Sequence, residues 1–392
     1  MKPTLGVGMV GYSFMGAVHS HAWRTVHRVF DLPVTPAMVA VCGRNRDATQ
    51  HAADTYGWDS IETDWRELVA RPDIQIIDIC TPGSSHAEIA IAALAAGKHV
   101  FCEKPLATTV DEAERMAAAA ASAAAKGVLS MVGFNYRRVP ALALARQLIA
   151  DGRLGVIREV RAVYLQDWIA DPDFPLVWRL QKEEAGAGAL GDIGSHIIDA
   201  AQFLLGSNIT GVSGLLETFI KERPLGQMTE GLRAESTDGA REMGAVTVDD
   251  AALFTSRFDN GAIGSFEASR FAVGRKNAMG IEVYGSKGSI QFGFESMNEL
   301  LFHDHTLDPT EAGFRRILVT EPDHPYLSGW WPPGHIIGYE HTFTNELKDF
   351  LECLADGTPP TPSFADGLQV QRVLDAVETS SAARSTWVDV KE

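Results

Sequence analysis

Cysteine is scarce. The four present, Cys42, Cys80, Cys102 and Cys353, are scattered with no C-x-x-C spacing. Three of them sit in apolar runs, where a thiol behaves as a small hydrophobe. Neither a zinc site nor a disulfide framework follows, and no metal centre is expected. Long apolar runs are missing as well: none approaches the length that spans a membrane. The first residues enter a strand almost at once, which leaves no room for a signal peptide. Positive charge is in deficit, with 34 Lys and Arg against 51 Asp and Glu and a net charge of −17. Such a chain repels phosphate backbones and anionic lipid headgroups. Nucleic acid and membrane partners are therefore excluded, and a reducing cytoplasm is the expected compartment.

What is present describes an ordinary globular protein, 45% apolar and 22% charged. Its 392 residues are enough for two domains with separate cores. Residues 5–10 read as a strand, Gly11-Tyr12-Ser13-Phe14-Met15-Gly16 as the turn after it, and residues 17–29 as a helix. Strand, glycine turn and helix make a dinucleotide fingerprint, in which amides at the helix N-terminus cradle a pyrophosphate. Gly11, Ser13, Phe14 and Met15 are the contact positions. Ser13 replaces the middle glycine and crowds the phosphate without blocking it. The second strand, 38–42, ends without the acid that grips the ribose hydroxyls in NAD enzymes. Gly43 leaves space there, and Arg44 offers a guanidinium suited to a 2′-phosphate; a solvated loop arginine is the alternative. The cofactor expected is NAD or NADP, with a lean to NADP.

Residues 74–80 form a β-branched run suited to a strand covered on both faces, ending at Thr81-Pro82-Gly83. A helix over 86–96 follows. Residues 100–102 are another buried strand, which gives way to Glu103-Lys104-Pro105. Proline cannot donate to a ladder, so the strand stops there. Ligands of open parallel sheets collect outside the carboxyl ends of strands, which places Lys104 over a cleft. An alanine-rich helix (113–125) and a strand (128–133) complete an alternating pattern, so residues 1–135 read as a Rossmann-type domain.

The pattern then changes. Residues 157–165 are a strand, followed by Gln166-Asp167-Trp168 and a proline-rich loop with Trp178-Arg179. A helix carrying Asp192, His196 and Asp199 runs to Gly206. Period-two runs at 249–258 and 262–271 flank Asp259-Asn260-Gly261, a hairpin signal. A second hairpin spans 281–294. Residues 222–244 and 321–338 read as loop excursions, the latter with Trp330-Trp331-Pro332-Pro333 as a lid or subunit contact. The fold class is α/β: an N-terminal Rossmann dinucleotide-binding domain plus a C-terminal α+β domain with a large, mostly antiparallel open sheet. The second domain is expected over 136–392, its final helices free to pack back on the first.

Asp192 and His196 are spaced i, i+4 and would share one helix face. A histidine beside a carboxylate suits a general base near neutral pH; a helix-surface ion pair is the alternative. Lysine is a poor base at neutral pH, so Lys104 reads as positive charge held beside a developing alkoxide.

The three stretches 11–16, Glu103-Lys104-Pro105 and Gly191-Asp192-Ile193-Gly194-Ser195-His196 resemble the signatures of the Gfo/Idh/MocA oxidoreductases. Leu165-Gln166-Asp167-Trp168, Pro175-Leu176-Val177-Trp178-Arg179 and Gly188-Ala189-Leu190-Gly191-Asp192 look closest to the inositol and levoglucosan dehydrogenase branch. The resemblance implies an NAD(P)-dependent dehydrogenase acting on a secondary hydroxyl of a cyclic polyol, sugar or anhydrosugar. It implies that His196 takes the proton, Asp192 orients, and Lys104 polarises the oxygen and touches the nicotinamide ribose. Thr81, Pro82, His86 and Glu103 would contact the cofactor; Tyr136, Gln166, Asp167, Trp168 and Arg179 would line the sugar pocket. Dimers or tetramers built on the open sheet are implied too. Two further readings stay open: a hydrolase or lyase that oxidises its sugar transiently, and a regulator that binds dinucleotide without turnover.

Overall fold

Runs of small and β-branched residues become neighbouring parallel strands, as burial on both faces requires. The computed structural model describes residues 2–228, 234–236 and 242–391. It divides into one unit of Met1–Asn135 with Gly338–Gln371, and another of Tyr136–Ile337 with Arg372–Glu392. In chain order the first unit runs β1 (Thr4–Val10), α1 (Phe14–Val29), β2 (Thr35–Cys42), α2 (Arg46–Tyr56), β3 (Ser60–Glu62), α3 (Trp65–Ala70), β4 (Ile76–Ile79), α4 (His86–Ala95), β5 (His99–Cys102), α5 (Val110–Ala124) and β6 (Ser130–Val132). The sheet order is β3-β2-β1-β4-β5-β6, and every pairing in it is parallel. This is the doubly wound order, whose strand sequence reverses between β1 and β4. Local chemistry sets the helix ends: Asn45 accepts from the Ala48 amide at 3.1 Å, and Gly57, at φ 81°, closes α2. The later helix Tyr339–Asp356 belongs to this unit and sets Phe350 against Phe101, with ring centroids 5.5 Å apart.

The second unit begins with α6 (Pro140–Ala150) and β7 (Ile157–Leu165), then α7 (Lys182–Ala185), α8 (Ser195–Leu205) and β8 (Ile209–Glu217). Four short strands follow, β9 (Glu222–Pro224), β10 (Gly226–Met228), β11 (Ala234–Ser236) and β12 (Met243–Ala245). The rest of the large sheet is β13 (Ala251–Phe258), β14 (Ile263–Ser269), β15 (Ala278–Gly285), β16 (Gly288–Gly293), β17 (Glu299–Asp304), β18 (Arg315–Leu318) and β19 (Val388–Asp389). Its order is β18-β17-β16-β15-β7-β14-β13-β8-β19. Strands β7 and β14 pair in parallel and the other neighbours antiparallel. Helices α6 and α8 pack on one face. On the other, Leu215 and Leu253 sit directly opposite one another and are 54% and 49% exposed. The expected hairpin at 259–261 forms: Gly261 adopts φ 87° and donates to the Phe258 carbonyl at 3.0 Å.

One stretch departs from its reading as a loop. Within 222–244, β9 pairs with β12 and β10 with β11, as two short antiparallel ladders. The expectation for residues 229–233 and 237–241 lies outside the described residues. Among the described residues, no helix is long and apolar enough to cross a membrane.

Candidate active site

In the first unit, the carboxyl edge of the sheet gathers residues 11–16, Arg44, Thr81, Pro82 and Lys104 around the β1/β4 reversal. Gly11 sits at φ 98°, and a Cβ there would fall 2.7 Å from the Cys80 carbonyl, so only glycine makes this turn. Helix α1 starts directly after it. Within the described residues the Ser13 hydroxyl makes no capping bond, and no acid lies in the first turn. The first turn thus keeps the donors and the dipole that an anionic pyrophosphate needs, and the residues present fit a dinucleotide. Ser13 and Phe14 are exposed and Met15 is half-buried, which leaves this edge open. Arg44 is exposed. The space expected at Gly43 is not there: the Tyr12 ring occupies the place a Cβ would take. That filling removes one of the two grounds for the lean to NADP and leaves only the exposed Arg44.

His86 is buried, with Nε2 2.9 Å from the Thr81 carbonyl and Nδ1 3.1 Å from the Pro105 carbonyl. Burial pushes its pKa down, so the ring is neutral and donates to one carbonyl at a time. It ties the loop after β4 to the loop after β5. Glu103 is buried at 4% exposure, its Oε1 3.0 Å from His19 Nε2, while its Oε2 accepts from the Lys104 amide at 3.0 Å. Lys104 is half-buried, and its peptide bond to Pro105 is cis. On the other side of His19, Nδ1 lies 3.0 Å from both Asp78 oxygens, and the Trp23 indole donates to Asp78 at 2.7 Å. Burial alone would lower the imidazole pKa, but the charge of Asp78 outweighs it and holds the ring well above 6.5. Cys80 lies with His19 and Asp78 within 4.8 Å, but a charged ring offers no lone pair to a metal ion. Burial and the charge of Asp78 push the Cys80 thiol up, so it keeps its proton.

The second unit collects the other candidates. His196, 7% exposed, opens α8; its ring lies 4.6 Å from the Tyr136 ring and 5.9 Å from the Tyr164 ring. Burial, with Asp192 adding, pushes the Tyr136 phenol up to about 12, so it remains a hydrogen-bond donor at neutral pH. A polar chain runs away from it: the Tyr136 and Tyr164 hydroxyls are 2.5 Å apart, and Asn277 Oδ1 accepts from Tyr164 at 2.7 Å and Gln166 at 2.8 Å. The Trp168 indole donates to Gln166 at 3.1 Å. Asp167 holds the Gly274 amide and Lys276, and the ammonium lowers its pKa.

Asp192 departs from the expected register. It lies in a π-helical turn, Leu190–Gly194, so the four-residue spacing to His196 is not one α-helical turn there. Its carboxylate meets Arg179 at 3.2 Å and Arg270 at 3.8 Å. Asp199 points elsewhere, into a bidentate pair with Arg137 at 2.6–3.1 Å. Arg270 is fully buried, donates to the Asp249 carbonyl at 3.0 Å, and stands 5.6 Å from the Trp168 ring. It is the guanidinium around which Asp192, Asp249 and Asp250 are arranged. Replacing it leaves buried acids uncompensated. Arg270→Met should therefore lower unfolding free energy by about 3–5 kcal/mol in urea titrations, with Arg270→Lys between it and wild type.

Sequence reasoning missed His19, Asp78, Tyr164, Arg270 and Asn277. For Asp78 a signal existed: an acid inside a buried apolar strand needs a partner.

Residues 5–134 match the family described as "Oxidoreductase family, NAD-binding Rossmann fold", and residues 142–291 match the "GFO/IDH/MocA C-terminal domain". Over 390 residues the chain is 44% identical to levoglucosan dehydrogenase of Pseudarthrobacter phenanthrenivorans, covering 99% of this chain and 98% of that one. An oxidoreductase domain protein from Kribbella flavida has a crystal structure with TM-score 0.94, 61% identity and full coverage of both chains. A levoglucosan dehydrogenase in complex with NADH and levoglucosan superposes with TM-score 0.92 at 43% identity, over 99% of this chain and 100% of that one.

Proposed function

The chain belongs to the GFO/IDH/MocA oxidoreductase family, and from that membership we propose that it oxidises a secondary hydroxyl of a cyclic polyol, sugar or anhydrosugar, with a levoglucosan-like anhydrohexose as first choice. The observation that carries the reading is His196, buried against two tyrosines, on the helix that follows the turn holding an arginine-clamped Asp192, in a chain so similar to an anhydrosugar dehydrogenase. When bound, the dinucleotide supplies the hydride acceptor. The chain's own residues do the rest. His196 takes the hydroxyl proton, and Asp192, fixed by Arg179 and Arg270, orients the substrate or the imidazole. Lys104 holds positive charge beside the oxygen as the alkoxide develops and touches the nicotinamide ribose. Tyr136, Gln166, Asp167 and Arg179 bind ring hydroxyls, and Trp168 offers an apolar face to the sugar. Gly11, Ser13, Phe14, Met15, Thr81 and Pro82 hold the cofactor. His86 and Glu103 keep those loops in place.

We take the cofactor as NAD rather than NADP. The Tyr12 ring over Gly43 and the NADH in related complexes support this. An absorbance screen of anhydrosugars, inositols and aldoses against both dinucleotides tests the reading. Reduced cofactor should accumulate with an anhydrosugar, and NAD should exceed NADP in kcat/KM by about tenfold or more, the worth of one charged contact. A strict requirement for NADP overturns the cofactor choice; no turnover with any polyol or sugar overturns the reaction.

A cytoplasmic location suits four free cysteines. The net charge of −17 supports a small-molecule partner, with neither nucleic acid nor membrane. The exposed pair Leu215 and Leu253 supports a homodimer or homotetramer built on the open sheet face. Leu253→Asp should then shift light-scattering mass to that of one chain; an unchanged mass would place the contact elsewhere.

A further inference from the structure

Lys104 carries its charge on a flexible stem, and something must fix where that stem starts. Its amide is held by Glu103 Oε2 at 3.0 Å, and the other oxygen of that carboxylate is held by His19 at 3.0 Å. His19 is held in turn by both oxygens of Asp78 at 3.0 Å, and Asp78 by the Trp23 indole at 2.7 Å. The chain of contacts joins α1, β4 and the end of β5 within a single unit. It is shielded from bulk solvent: His19 is 1% exposed and Asp78 fully buried, and the rings of Phe101 and Phe343 lie 5.5 and 5.4 Å from the imidazole. Both ring nitrogens face carboxylates. A carboxylate only accepts, and a neutral imidazole donates through one nitrogen alone, so the arrangement calls for the doubly protonated ring.

We propose that His19 is a positioning residue for Lys104, acting through the Glu103 carboxylate to fix the backbone from which the catalytic ammonium projects. The inference rests on the reading of Lys104 as catalytic. An imidazolium between two acids holds Glu103 from behind while Glu103 holds Lys104 in front. A carboxylate without it would be a buried unpaired charge, free to turn from the Lys104 amide. Misplacement by about 1 Å at a reacting group costs up to about a hundredfold in rate.

The experiment is a double-mutant cycle of His19→Gln with Lys104→Ala, reading kcat, KM for NAD and thermal midpoint. His19→Gln alone should lower kcat about ten- to a hundredfold while KM for NAD stays within about threefold. In the Lys104→Ala background the same substitution should change kcat by less than about twofold, because the group it positions is gone. An equal loss in both backgrounds, or wild-type kcat for His19→Gln, overturns the proposal and assigns His19 to stability alone. Should His19→Gln fail to fold, Glu103→Gln takes its place in the cycle, with the same loss expected alone and the same additivity overturning the idea. Full activity in Lys104→Ala would instead overturn the reading of Lys104 and this inference with it; an impaired Lys104→Ala with additive losses sinks only His19.

Discussion

Lys104→Met should lower kcat by about 10²–10³, the range for removing one preorganised group that stabilises an oxyanion, while NADH affinity stays within about threefold. The expectation follows from where the residue stands. It comes directly after β5, on the carboxyl edge of a parallel sheet, and Glu103 anchors its amide. Methionine keeps an unbranched apolar stem of nearly the same length and removes the ammonium, its charge and its donors together. Oxidation of a secondary alcohol passes through developing negative charge on oxygen, so an ammonium held there stabilises the transition state more than the bound alcohol. Steady-state rates with a fluorescence titration of NADH separate the two roles. Loss of NADH affinity with little change in kcat would make Lys104 a cofactor clamp instead.

His196→Asn should lower kcat/KM by about 10²–10⁴, the usual worth of a positioned general base. The pH profile is the sharper readout. In the wild type, kcat/KM should fall towards acid as the base becomes protonated and cannot accept the hydroxyl proton. In His196→Asn that limb should vanish, with the residual rate rising with hydroxide. Asparagine keeps hydrogen-bonding capacity beside Tyr136 and Tyr164, so the pocket walls stand. An acidic limb that survives the substitution would place the base at another residue.

Local signals were legible and long-range ones were not. The glycine turn after β1, the proline that stops β5 and the Asn260-Gly261 hairpin each act within a few residues, and all three appear as read. The spacing of Asp192 and His196 was legible but its geometry was not, because nothing in the residue order announces a π-helical turn. Arg270 reaches Asp192 only through the placement of β14 against that turn, and no periodicity carries that. His19 and Asp78 are 59 positions apart and meet because α1 packs over β4. Gly43 misled for the same reason: the space it opens is filled by Tyr12, from the turn after a different strand.

The most direct test is a reaction with levoglucosan deuterated at the carbon to be oxidised, supplied with NAD. Hydride transfer to the nicotinamide gives one NADH per ketone formed, deuterium at C4 of the nicotinamide and a primary isotope effect that persists in Lys104→Met. Cleavage of the sugar with no net NADH would contradict it and make the oxidation a transient step of a hydrolase or lyase.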